Sequence, residues 1–226
     1  MAVVDGDLEF VKKALPFWDQ ITPAQQKALQ EACTPLTYPA GGQMHRGSED
    51  CVGLFIIQSG QVRTYILSSG GKEITLTRLF RGDVCLFSAS CMMKDIRFDV
   101  FIEAVQPSSV FLIPTAVYKE LNKSSLAVSG YTNQLLSSGF SDAMWVMEQV
   151  LFMRFDQRLA LFLLEQSSID ESDTLSVTHE EIAKHMGTAR EVVTRMLRYF
   201  QQEGLVRLSR GKVELTNRKG LSRLSK

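Results

Sequence analysis

The sequence predicts an α+β chain in three parts: an N-terminal antiparallel β domain over 1–127, a long helix over 128–155, and a C-terminal helix-turn-helix with a β-hairpin over 156–226. Three observations carry that division. Short β-rich runs punctuated by glycine fill the first half. Apolar residues then recur every four and three positions through a helical stretch. Near the C-terminus a capping pattern opens two short amphipathic helices, followed by two alternating runs around a glycine.

The β domain rests on Leu54-Phe-Ile-Ile57 and Val62-Arg-Thr-Tyr-Ile-Leu67, separated by Ser59-Gly60, and on Ile74-Thr-Leu-Thr-Arg-Leu79 beyond a Ser-Ser-Gly-Gly-Lys turn. β-branched and aromatic residues between such turns favour pleated strands. Further strands are expected from Phe98 to Ala104 and from Val110 to Ile113.

From about Val128 to Phe155, Leu136, Phe140, Ala143, Met147 and Val150 step along one helix face like a coiled-coil seam. A seam implies a partner helix, and the expected partner is a second copy in a parallel homodimer; the alternative is packing on the chain's own β domain, and both faces can be used at once. Trp145, Val146 and Leu151, off the seam, are expected to pack on the chain's own β domain. Asp156 is expected to cap the next helix, which puts the hinge at Phe155-Asp156.

Thr178-His-Glu-Glu181 reads as a capping box, with Ile182, Ala183 and Met186 as the apolar face and Gly187 as the stop. Thr188 is expected to start a second helix that buries Val192, Val193, Met196, Leu197 and Phe200 and turns Arg190, Glu191, Thr194, Arg195 and Arg198 outward. Two short helices about a Gly-containing turn make a helix-turn-helix. Leu205 to Leu215 then alternates around Arg210-Gly211, the pattern of a hairpin wing.

Composition is that of a soluble globular chain, 45% hydrophobic and 22% charged over 226 residues. The N-terminal stretch carries acid where an export signal needs base, and no apolar run reaches the roughly 20 residues that span a bilayer. The expectation is a cytoplasmic protein without a membrane partner. Cys33, Cys51, Cys85 and Cys91 match no metal-ligand spacing and are expected as thiols. The zero net charge hides an asymmetry: from Thr178 onward 11 Lys and Arg face 5 Asp and Glu, a net of +6, against −6 for the rest. A basic end on an acidic body points to a polyanion, here double-stranded DNA.

On a helix lying in the major groove, arginine can present two donors to guanine O6 and N7, and a carboxylate can accept from cytosine N4. Arg190, Glu191 and Arg195 are therefore the candidate base readers, with Thr194 a contact to a thymine methyl or a phosphate. Glu191 has a second reading, as the partner of Thr188 in another capping box. Thr178, Thr188, Arg198, Arg210 and Lys212, with Arg207 on the wing, are candidate phosphate contacts, which position the protein without specifying sequence.

Over nearly the whole chain these residues resemble the family of the cyclic-AMP receptor protein and the fumarate-nitrate regulator. Glu181-Ile182, Gly187 and Arg190-Glu191-Val-Val-Thr-Arg195 look like that family's recognition motif, with arginine before glutamate as in the cyclic-AMP receptor branch. Gly47, Gly53, Gly60, Gly82 and Asp83 stand where the family has turns. The resemblance implies that the β domain is a jelly-roll-like β-roll (a double-stranded β-helix) acting as a sensor, that the long helix is the dimerisation helix, and that the C-terminal part is a winged helix-turn-helix reading a palindromic operator, with RNA polymerase as a further partner.

The family's cyclic-nucleotide members carry a phosphate cassette in the roll. Gly82-Asp83 and Arg97 match it, but Leu86 and Phe87 fill the glycine and glutamate positions and Phe98 follows the arginine where a small residue belongs. A ribose in a buried pocket needs polar partners, and Leu-Phe offers none. Cyclic nucleotide is therefore not the expected effector; another small molecule, or thiol redox at Cys85 and Cys91, stands in its place. The expected effector pocket comprises Gly82, Asp83, Cys85, Leu86, Phe87, Cys91 and Arg97. His45, His179 and His185 are too scattered for a metal or haem site, and the latter two are expected to be exposed. No nucleophile elbow, phosphate loop or metal motif points to catalysis. The competing reading is a cyclic-nucleotide-binding-like module that regulates a protein partner.

Overall fold

The computed structural model describes residues 5–47, 52–87 and 99–226. Two bodies are distinct: one holds the residues up to Leu67 with Leu76–Ala143, the other Ser68–Thr75 with Met144–Lys226. The expected strand start at Phe98, and Cys51, Cys91 and Arg97, lie outside the described residues.

The first body opens with two helices that the sequence reading did not anticipate, α1 (Asp5–Ala14) and α2 (Pro23–Ala32). Thr22 caps α2 reciprocally: its hydroxyl accepts from the Gln25 N–H, and the Gln25 side chain accepts from the Thr22 N–H. Among the described residues the strands that follow are β1 (Thr34–Tyr38), β2 (Gln43–Arg46), β3 (Gly53–Ser59), β4 (Val62–Leu67), β5 (Glu73–Leu79), β6 (Val84–Cys85), β7 (Phe101–Ala104) and β8 (Ser108–Pro114). They form two four-stranded sheets, ordered β1-β8-β3-β6 and β2-β7-β4-β5.

The continuous apolar run of β3 follows from a sheet covered on both faces. Phe55 and Ile57 point into a core shared with Met44, Val62, Ile102, Ala104 and Val110. Leu54 and Ile56 point the other way, into a core with Leu15, Phe17, Leu29, Phe111, Ile113, Tyr118 and Val128. The second core is what the helices supply, namely α1, α2 and α3 (Thr115–Ser124). At Gly53 and Gly60 the backbone is left-handed and a Cβ would stand 2.2 Å from the Ile113 carbonyl oxygen and 2.4 Å from Ser108 Oγ, so glycine is required at both turns.

The long helix α4 covers Leu126–Phe152. Along it Phe140 is 69% exposed, Trp145 47%, Met147 45% and Leu151 64%.

In the second body α5 (Phe155–Ile169), β9 (Thr174–Leu175), α6 (His179–Met186), α7 (Arg190–Gln202), β10 (Val206–Ser209), β11 (Lys212–Leu215) and α8 (Arg218–Leu224) surround one core of Leu159, Leu163, Leu175, Ile182, Val193, Leu197, Phe200, Val213 and Leu221. Asp156 does not cap α5. Arg154 is the N-cap residue, its N–H bonded to the Gln157 side chain, while Asp156 lies inside the first turn and pairs with Arg154 at 3.0 Å. Gln157, three places beyond Arg154, accepts the bond that marks the start of the helix, so Asp156 falls within its first turn.

Candidate nucleic-acid interface

The capping box at Thr178 is present: the Thr178 hydroxyl accepts from the Glu181 N–H at 3.2 Å, and Glu181 accepts from the Thr178 N–H at 2.6 Å. Gly187, at φ +66°, ends α6 in the left-handed conformation, and the N–H of Thr188 donates to the Ala183 carbonyl. Arg158 reaches from α5 to donate to the Met186 carbonyl at 2.9 Å, fixing the end of α6.

Thr188 does not start the second helix. The N-cap residue of α7 is Ala189, without a side-chain capping bond, so the alternative role for Glu191 as a capping partner is absent. The helix begins at Arg190, and the Thr188 N–H closes α6 on the Ala183 carbonyl, so it is not available for the reciprocal bond of a capping box. Val193, Leu197 and Phe200 are buried, and Arg190, Glu191, Arg195 and Arg198 are exposed along the opposite side. None of the three arginines makes an ion pair among the described residues.

Thr194 has a different use. Its hydroxyl donates to the Arg190 carbonyl and lies 2.9 Å from His179 Nδ1, tying α7 to α6. His179 is accordingly half-buried instead of exposed, and burial, followed by the charges of Arg190 and Arg198, holds its imidazole below the ordinary range. His185 is also half-buried, its ring 5.5 Å from that of Phe162.

Beyond α7, β10 and β11 pair from Val206↔Leu215 to Ser209↔Lys212, leaving Arg210-Gly211 as a two-residue loop with Gly211 at φ +69°. β9 adds a third strand beside β11 that the sequence reading missed. Arg210 and Lys212 are exposed at this tip, whereas Arg207 is held by Glu214 at 3.1 Å. Two further features went unread: Arg218 at the start of α8 pairs with Asp173 and donates to Ser167, and Lys219 and Arg223 beside it add cations to the same body.

In the first body Cys85, Leu86 and Phe87 line a cavity of about 100 Å³ together with Thr64, Thr77, Leu79, Val84 and, from α4, Leu135, Leu136, Ser138, Gly139 and Asp142. Gly82 and Asp83 do not line it; they make the turn that leads β6 into it. The Gly82 N–H donates to the Ile57 carbonyl, and Asp83 accepts from the Phe80 N–H. Cys85 is buried, and burial, then Asp7, pushes the Cys33 thiol up to about 12, far from a reactive thiolate. No three His, Cys, Asp or Glu converge on a metal-sized site among the described residues.

A β-roll followed by a long helix and a winged helix-turn-helix defines a class of DNA-binding transcriptional regulators. Comparison with known proteins places the chain within it. Residues 35–125 match the cyclic nucleotide-binding domain model and 157–224 the Crp-like helix-turn-helix domain model. A crystal structure from Eubacterium rectale, assigned to the crp/fnr family of transcriptional regulators, shares 48% identity, covers 94% of this chain and 98% of its own, and superposes with a TM-score of 0.91. A CRP/FNR-family transcriptional regulator of Thermus thermophilus shares 26%, covers 85% and 98% of the two chains, and gives a TM-score of 0.65. The cyclic AMP receptor protein of Thermus thermophilus is 25% identical over 90% of this chain and 93% of its own. The chain belongs to the Crp/Fnr family of transcriptional regulators.

Proposed function

We propose that the protein is an effector-controlled regulator in the cytoplasm that binds a palindromic operator as a homodimer. Residues 1–127 form the sensor, 128–155 the dimerisation helix and 156–226 the reader, with RNA polymerase as the further partner. The observation that carries the reading is the outer face of α7, where Arg190, Glu191, Arg195 and Arg198 stand exposed on a helix whose opposite face is anchored in a core. Unpaired guanidinium groups on a rigid helix suit major-groove reading, since no internal bond has to break first.

In this reading Arg190, Glu191 and Arg195 contact base edges. Thr194, its hydroxyl already engaged, offers only its methyl to a thymine. Thr178, Thr188, Arg198, Arg210 and Lys212 hold phosphates, and Arg207 does so only after leaving Glu214. Phe140, Ala143, Met147 and Val150 face the same residues of a second copy, Leu136 is shared between that seam and the chain's own cavity, and no nucleotide is needed to occupy the roll.

Binding of the full chain to a duplex carrying its operator tests the assignment. Affinity is expected to fall linearly with the logarithm of salt. Arg190→Ala should cost about 1 to 3 kcal/mol and relax preference at one base pair, whereas Lys212→Ala should weaken all sequences alike and lower the salt slope by about one. Identical effects of the two substitutions on preference would overturn the groove assignment.

A further inference from the structure

We propose that the effector site in the β-roll takes a small, uncharged, mainly apolar molecule of about one six-membered ring, bearing a single hydroxyl or comparable group that pairs with Thr64. The proposal deepens the effector-controlled reading above and rests on it.

Size limits the ligand first. The cavity holds about 100 Å³. One water takes about 30 Å³ of liquid, and a dry cavity of about 150 Å³ lined by aliphatic and aromatic side chains accommodates benzene. A single ring fits that scale, while a purine, a sugar and a phosphate together do not.

The lining sets the polarity. Leu79, Val84, Leu86, Phe87, Leu135 and Leu136 make most of the wall. Phe87 is held by close approach to α4: a Cβ on Gly139 would stand 3.0 Å from its ring, so the glycine leaves room for that ring as one side of the cavity. The charged residue among the described lining residues is Asp142, a carboxylate, which repels a phosphate instead of neutralising it. An anionic ligand would enter this site without a counter-charge from those residues, at a high desolvation cost.

Thr64 supplies the specific point. It lies on β4, is fully buried, lines the cavity, and its Oγ1 has no hydrogen-bond partner among the described residues. A buried hydroxyl left unpaired is costly, and a ligand that pairs it recovers that cost on binding. The neighbours of Thr64 on β4 are paired: Arg63 donates to Glu103 at 2.9 Å and Tyr65 to Gln43 at 3.1 Å.

The test is calorimetric titration of the full chain, without DNA, using phenol, indole, cyclohexanol and toluene as probes and cyclic AMP as the contrast. Saturable binding of phenol or cyclohexanol is expected, weaker binding of toluene, and none of cyclic AMP. Thr64→Val, which keeps the volume and removes the hydroxyl, should weaken the hydroxylated probe about tenfold, leave toluene unchanged, and raise the melting temperature of the ligand-free protein. Thr64→Ser should retain most of the hydroxylated probe's affinity. Binding of cyclic AMP, absence of binding by all four probes, or an equal response of wild type and Thr64→Val would each overturn the proposal. None of these outcomes touches the DNA-binding reading, whose test involves no probe.

Discussion

The Thr194 hydroxyl and His179 join the two helices of the helix-turn-helix. The bond between them crosses from α7 to α6, and a further bond returns the Thr194 hydroxyl to its own helix, so Arg190 and Arg195 project from a fixed platform. The pairing has a pH consequence. His179 has its imidazole held low by burial and by Arg190 and Arg198, so below about pH 6.5 the unfolded chain takes up a proton that the folded chain resists. Stability contributed by neutral His179 is therefore complete above that range and lost as the pH falls through it. Chemical denaturation between pH 7 and 5.5 should show stability declining with acid, and His179→Gln should flatten that decline. An unchanged slope in the variant would contradict the assignment. From sequence, Thr178, Glu181 and Gly187 were legible because capping and left-handed turns are local chemistry. The Thr194 bond was not, since it joins residues 15 apart across two helices.

At the scale of elements, the features that were legible are those whose periodicity is strong. The outward arginines of α7 and the long helix α4 followed from spacing, and the paired strands β10 and β11 from alternation about Gly211. The features missed have short or mixed signals. β9 has two residues, α8 has seven with three cations, and α1 and α2 contribute scattered residues, among them Val11, Leu15 and Leu29, to a core completed by strands far away in sequence. The cavity was half legible: Cys85, Leu86 and Phe87 were named, but Thr64 and the α4 residues enter it only through tertiary packing. The exposed face of α4 makes the strongest prediction here. Burying a large apolar side chain is worth about 1.5 to 3 kcal/mol, and two-fold symmetry counts each residue twice. Phe140→Glu combined with Met147→Glu should therefore weaken self-association at least about 100-fold, as read by sedimentation, with the helical content of each chain retained. A variant that sediments as the wild type would remove α4 as the dimer seam.

For the whole molecule, net charge is zero while charge is segregated: the segment from Thr178 onward carries +6 and the remainder −6. That distribution draws the basic end to a polyanion and keeps the acidic end away from it, which favours docking in one orientation. Each body has its own core, one holding a small cavity and the other carrying the exposed outer face of α7, and a ligand in the cavity would change DNA affinity only through a different affinity for two states of the molecule. The family assignment fixes the frame, and Leu86 and Phe87, where the resemblance implies the cassette's glycine and glutamate, are the departure from which the proposed effector is argued.

The most direct measurement is capture of sheared DNA from the source genome by the purified full chain, followed by sequencing of what is retained. The account predicts discrete sites with two-fold symmetry, half-sites about one helical turn apart, that are lost in Arg190→Ala. Retention without sequence preference, or the same sites retained by Arg190→Ala, would contradict it.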